Sequence, residues 1–161
     1  MFMVSENISF IDYSNSIKIV LVGTTHPGNI GAAARAIKTM GLINLDLVCP
    51  KEFPSNEATY RSKAAKDILE KASVYETLLE SVSDCEVVIG TSARNRKVPW
   101  PVLNPKNASI EINKAVKNSS KVAIVFGRED RGLTNEELGL CNLHVHIPTA
   151  EEYSSLNLAQ A

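Results

Sequence analysis

Three stretches of this sequence hold the residue types from which a binding site can be built. The first is His26-Pro27-Gly28-Asn29-Ile30-Gly31-Ala32-Ala33-Ala34-Arg35 and the second is Val125-Phe126-Gly127-Arg128-Glu129-Asp130-Arg131-Gly132-Leu133. The third, Ile147-Pro148-Thr149-Ala150-Glu151-Glu152-Tyr153-Ser154-Ser155-Leu156-Asn157-Leu158-Ala159, couples an apolar run to a polar loop that is expected to open a helix. Each falls where a strand meets a helix, and each joins small residues to a few polar side chains. Three such junctions predict one composite binding site. The histidines do not predict a metal centre: His144 and His146 stand two apart in a strand, point to opposite faces and read as structural.

The elements that must position these residues fit in one domain, since 161 residues are enough for a sizeable core. The formal net charge of −1 gives no global polyanion field, so a polyanionic partner must be held by a local basic patch. Cys49, Cys85 and Cys141 are odd in number and far apart, which predicts neither a disulfide framework nor a zinc knuckle and fits a reducing, cytoplasmic setting. Residues 1–16 carry no basic region before an apolar run, and no segment is long enough to span a bilayer, so neither a leader nor a membrane partner is expected.

Short apolar runs at residues 17–22, 45–48, 86–90, 122–126 and 144–147 read as strands buried on both faces. Between them, residues 31–40, 57–71, 77–83, 110–117 and 135–140 carry Ala, Leu, Lys and Glu at helical spacing. The alternation predicts an α/β fold with a parallel sheet in Rossmann-like layers. Gly41 is expected to stop the first of these helices, and Thr134 with Glu137 to form a capping box. Prolines at 99, 101 and 105 predict a long surface loop over residues 97–105.

A dinucleotide-binding Rossmann domain is disfavoured. Gly28 and Gly31 do not make G-x-G-x-x-G, Asp46 sits inside the second strand rather than at its end, and no Walker lysine is present. In combination, the Asn-x-Gly-x-x-x-Arg helix start, the Phe-Gly-Arg-Glu-x-x-Gly-Leu turn and the Ile-Pro…Ser-Ser-Leu-Asn-Leu-Ala end resemble the three motifs of the SPOUT superfamily, specifically its SpoU/TrmH branch of RNA 2′-O-ribose methyltransferases. The resemblance covers residues 17–161, leaving 1–16 as an N-terminal extension. Thr91-Ser92-Ala93-Arg94-Asn95-Arg96 followed by Pro99-Trp100-Pro101, and Arg35-Ala36-Ile37-Lys38-Thr39-Met40-Gly41, resemble the TrmJ group.

The resemblance implies a deep C-terminal trefoil knot, a homodimer, S-adenosyl-L-methionine as cofactor without a metal, and tRNA as substrate, with cytidine or uridine at nucleotide 32 of the anticodon loop as target. The same family leaves ribosomal RNA methylation open, and a non-catalytic RNA-binding module would keep the basic loop without the cofactor. Members of the family continue beyond the third motif through a full helix, and TrmJ proteins carry a further extension, so a chain stopping at Ala161 reads as a fragment.

Residue by residue, the resemblance assigns cofactor contacts to Thr91, Ser92, Ala93, Gly127, Ile147, Ser154, Ser155 and Leu156. Small-residue loops suit such a role, because an adenine ring needs backbone hydrogen bonds and apolar cover. The motif-one arginine falls on Arg35. A guanidinium is a poor base, which favours a phosphate clamp that stabilises a developing alkoxide. Asn29 is expected to orient the loop or Arg35, Glu129 to pair with an arginine and so fix the motif-two turn, and Ser155 to bond the acceptor ribose or the cofactor; all three also fit plain helix capping. Arg94, Arg96 and Lys97 beside Trp100 are expected to hold RNA phosphates and stack a base, with Arg61, Lys63 and Lys66 either a second patch or a solvated face.

Overall fold

The computed structural model describes residues 10–93 and 99–161. Its frame is a seven-stranded sheet built from β1 (Ile17–Val22), β2 (Asn44–Val48), β3 (Ser73–Tyr75), β4 (Val87–Ser92), β5 (Val102–Leu103), β6 (Val122–Phe126) and β7 (Leu143–His146). The order is β3-β2-β1-β6-β4-β7-β5, and every pairing is parallel. Because all strands run the same way, their carboxyl ends open on one edge, where ligand sites of open α/β sheets form.

Helices cover both faces, as an all-parallel sheet requires. Val20 and Val22 of β1 and Val125 of β6 join Leu78 and Val82 of α5 (Leu78–Val82) and Leu138 of α7 (Asn135–Gly139) in one apolar cluster. On the opposite face Leu21, Leu45 and Leu47 pack against Ile30, Ala33, Ala34 and Ile37 of α2 (Pro27–Thr39), with α3 (Asn56–Ser62) and α4 (Lys66–Glu70) outside. Ile89, Val122 and Val145 meet Ala108, Ala115 and Val116 of α6 (Pro105–Lys117) on that same side. Helix α1 (Phe10–Ser16) leads directly into β1, and Tyr13 packs against this last cluster while donating to the side chain of Asn113.

Several expectations hold. Helix α2 ends at Thr39 and Gly41 adopts φ +72°, with Gly41 N–H bonded to Lys38 O and Leu42 N–H to Ile37 O, the Schellman pattern. Thr134 and Glu137 cap α7 reciprocally.

Others are corrected. The proline-rich segment is not loop throughout: Val102 and Leu103 pair with β7, and Pro105 occupies the first turn of α6, which Asn104 caps. A proline there loses no hydrogen bond, so the helix starts five residues before Ile110. The stretch 57–71 is two helices around a 3-10 turn at Lys63–Ala65, because Lys63 takes φ +52° after α3. Strand β3 was not expected, and its exposed residues show that edge strands are not buried on both faces. Residues 147–161 form turns rather than opening a helix.

Trp100 is partly buried and packs against the cluster of β1, β6 and α5.

Candidate active site

The carboxyl ends of β4, β6 and β7, adjacent in the sheet, bring their following loops together around one cavity of about 240 Å³. Thr91, Ser92, Ala93, Gly127, Ile147, Ser154, Ser155 and Leu156 all line it, so the eight positions expected to hold a cofactor are neighbours in space. Leu133, Leu138 and Leu158 add apolar wall. Thr91 commits its hydroxyl to Val125 O at 2.9 Å, which fixes the end of β4 against β6.

The motif-two loop is a closed turn. Gly132 N–H donates to Arg128 O at 2.8 Å, folding the chain back onto Gly127. A Cβ on Gly127 would lie 2.2 Å from Gly132 C and Leu133 N, so only glycine permits the return. Arg128 stays on its own turn, bonding Asp130 through Nε at 3.0 Å and a terminal nitrogen at 2.8 Å.

Glu129 is the hub that joins the three junctions, and among the described residues its carboxylate bonds neutral donors of the first junction where an arginine partner was expected. Its Oε2 accepts from Thr25 N–H at 2.9 Å and the Thr25 hydroxyl at 3.0 Å. Its Oε1 accepts from the Asn29 amide at 2.9 Å and His26 N–H at 3.3 Å. Asn157, in the third motif, donates to Asn29 Oδ1 at 3.1 Å. A continuous chain of bonds therefore runs from the third junction through the first to the second.

Partial burial alone would push the Glu129 carboxyl up, but the Asn29 amide and the Thr25 donors outweigh it and hold the group below its ordinary value. Glu129→Ala frees all four donors. It is expected to speed hydrogen exchange at Thr25 and His26 at least tenfold and to cost about 1–2 kcal/mol, small for so many bonds because the network is solvent-exposed. A carboxyl with a lowered folded value stabilises above its unfolded value, here 4.5, and loses that contribution as pH falls below it, so wild type and variant should converge in strong acid. Equal exchange rates at neutral pH would remove Glu129 from the hub.

The remaining expected site residues are placed less directly. Asn29 reaches the site through Glu129, and Ser155 through the cavity wall. Arg35 lies exposed on α2 and is not among the residues lining the cavity. Arg94, Arg96 and Lys97 lie outside the described residues. In the second basic patch Arg61 is engaged with Glu57 at 2.9 Å and the Lys63 ammonium sits 3.8 Å from the centre of the Tyr60 ring, so these cations are partnered on their own helix and turn. His26 caps α2, accepting from Gly28 N–H at 3.0 Å, and His146 lies 3.2 Å from Ser92 O.

Two participants were missed. Asn157 stands inside the Ser-Ser-Leu-Asn-Leu-Ala end, so its polar side chain in an apolar run was a signal in plain view. Thr25 gave no such signal, because nothing in a lone threonine after a strand indicates a carboxylate from a residue 104 positions away.

Known proteins resemble this chain in sequence and fold. The chain is 54% identical over 145 residues to a Pseudomonas aeruginosa protein named tRNA (cytidine/uridine/adenosine-2′-O-)-methyltransferase TrmJ, which covers 90% of this chain and 56% of that one. The chain thus spans little more than half the length of that relative. The crystal structure of TrmJ from Z. mobilis superposes with a TM-score of 0.83 at 38% identity, covering 89% of this chain and 63% of the other. The SpoU methyltransferase AviRb from Streptomyces viridochromogenes, in complex with AdoMet, shares the fold at a TM-score of 0.68 and 21% identity, covering 89% and 55%. A profile of the SpoU rRNA methylase family matches residues 16–161, the whole of the sheet and all three junctions, and the chain belongs to that family.

Proposed function

We propose that residues 17–161, following an N-terminal extension at 1–16, form the methyltransferase domain of an S-adenosyl-L-methionine-dependent tRNA 2′-O-ribose methyltransferase acting on cytidine or uridine at nucleotide 32 of the anticodon loop. The observation that carries it is the gathering of Thr91, Ser92, Ala93, Gly127, Ile147, Ser154, Ser155 and Leu156 around one cavity. The 54% identity to a tRNA methyltransferase favours tRNA over ribosomal RNA.

The cavity suits an adenosine. Leu133, Leu138, Ile147 and Leu156 supply apolar flanks, the backbones of Ser92, Ala93 and the loop after β7 supply hydrogen-bonding edges, and Ser154 and Ser155 present exposed hydroxyls. S-adenosyl-L-methionine supplies an electrophilic methyl group on a sulfonium, so the transfer calls for no metal.

The protein's own residues then have to hold the acceptor ribose and ease departure of its proton to the adjacent phosphate or to water. Ser155 bonds the ribose or the cofactor, a role that its position on the cavity wall supports. Asn29, locked between Glu129 and Asn157, holds the motif-one loop against the other two. Arg35 clamps a phosphate next to the target ribose and stabilises the alkoxide.

Arg94, Arg96 and Lys97 contribute further phosphate contacts. Leu158 to Ala161 lie in an apolar trough between α2 and α6, which supports a C-terminal stretch tucked against the sheet as a trefoil knot requires. Met40, 70% exposed just past the end of α2 and lining that trough, leaves an apolar surface there that supports a homodimer. A tRNA substrate places the enzyme in the cytoplasm; no helix among the described residues is long and apolar enough to cross a membrane.

Calorimetric titration of S-adenosylhomocysteine tests the reading. Micromolar binding, followed by methyl transfer to tRNA, is expected. Absence of binding would leave a non-catalytic RNA-binding module as the better account.

A further inference from the structure

A second cavity opens on the same edge of the sheet, beyond the carboxyl ends of β1 and β2. Val22, Gly23, Val48, Cys49 and Lys51 form its floor and side, and Arg128 and Arg131 close it. Both arginines also line the first cavity, so the two spaces share a wall. We propose that this second cavity takes an unstacked nucleotide of the RNA strand flanking the target ribose, with its phosphate on Lys51.

Lys51 is exposed at the rim, and its ammonium has no carboxylate partner among the described residues, while its backbone is pinned by a bond from its N–H to Thr24 O. An anchored backbone carrying an unspent cation suits a phosphate ligand. Arg128 is less available, because Asp130 holds its guanidinium.

The acids in the cavity argue for a whole nucleotide over a bare phosphate. Glu137 is committed to capping α7, but Glu76 and Glu136 remain as acceptors, and a carboxylate pairs with the exocyclic amine of a base. The cavity, about 660 Å³, has room for one base with its sugar. RNA loops are recognised by splayed-out bases of this kind. Single-strand readers place successive nucleotides in adjoining pockets, which a wall shared with the first cavity provides.

The inference rests on the proposed RNA substrate, so two readouts keep them apart. In the full-length protein, Lys51→Glu should raise the KM for tRNA about tenfold and lower the salt dependence of tRNA binding by about one contact, leaving S-adenosylhomocysteine affinity unchanged. Lys51→Arg should restore both. Cys49, the exposed cysteine, lines the cavity and reports occupancy: bound tRNA should slow its alkylation by iodoacetamide, whether or not methyl transfer occurs.

Unchanged KM and salt dependence in Lys51→Glu would overturn the assignment, as would unprotected Cys49 in the tRNA complex. Weakened S-adenosylhomocysteine binding would overturn it too, by giving the cavity to the cofactor. Absent methyl transfer with Cys49 still protected would instead sink the methyltransferase reading and leave the RNA subsite standing.

Discussion

Replacing Arg35 by Ala is expected to lower kcat for methyl transfer to tRNA by about 10²–10³ while leaving S-adenosylhomocysteine affinity within about twofold. The split follows from position. Arg35 does not line the cavity, so its loss removes no cofactor contact. It stands six residues beyond Asn29 on α2, about 9 Å along the axis, and is exposed on that helix. Among the described residues no acidic side chain holds its guanidinium, which leaves the group free for a phosphate of docked RNA.

A guanidinium stays protonated, so its contribution is a positioned charge with forked donors and not the removal of a proton. Arg35→Lys should therefore recover only part of the rate, because an ammonium keeps the charge and loses the bidentate geometry. Single-turnover methyl transfer with saturating cofactor measures the effect directly. A variant with near wild-type rate would end the assignment of Arg35.

The sequence carried most of the frame because its central strands are apolar runs whose periodicity is set by burial alone. It carried less at the margins. Ser73–Tyr75 is three residues long and exposed, so nothing in its composition separates it from a turn. Val102 and Leu103 sit between prolines that normally exclude strands, and they pair only because the sheet ends there, where the missing donors face outward. Lys63 breaks α3 with a positive φ that no glycine or asparagine advertises.

The site was legible for a different reason. Its walls are contiguous motifs at strand ends, and the parallel sheet delivers those ends to one place. What joins the motifs was not legible, because the Glu129 bonds to Thr25, His26 and Asn29 cross 100 or more positions. Arg35 marks the limit of motif reasoning, since a motif names a residue without saying whether its own fold brings it to the cavity.

Asp46 makes the other large prediction, and it concerns the fold rather than the chemistry. Its carboxylate is inside the sheet layer, side chain 9% exposed, accepting from Lys18 Nζ at 3.1 Å and from the Ser81 hydroxyl at 2.8 Å. Lys18, 14% exposed, also donates to Ser81 O and to Asp84, each at 2.9 Å. Burial alone would lower the Lys18 value, but the Asp84 and Asp46 bonds outweigh it, so the ammonium is held charged between β1, β2 and α5.

Asp46→Ala strips one counterion from a mostly buried cation and leaves the Ser81 hydroxyl unpaired, at an expected cost of about 3–5 kcal/mol in denaturant unfolding. Asp84 remains as a partner, which favours the lower end of that range. Removing both charges at once, Lys18→Met with Asp46→Leu, should recover most of the loss, because apolar packing replaces the desolvated pair at little or no net cost.

Acid gives the independent check. Burial would raise the Asp84 carboxyl, but Lys18 and Lys121 hold it down at about 2 from an ordinary 3.8, so its contribution is complete above 3.8 and is lost as pH falls toward 2. Lys18→Met should flatten that acid limb. If the double variant is instead as unstable as Asp46→Ala alone, the cluster contributes net stability to the fold and does more than settle how α5 seats against β1 and β2.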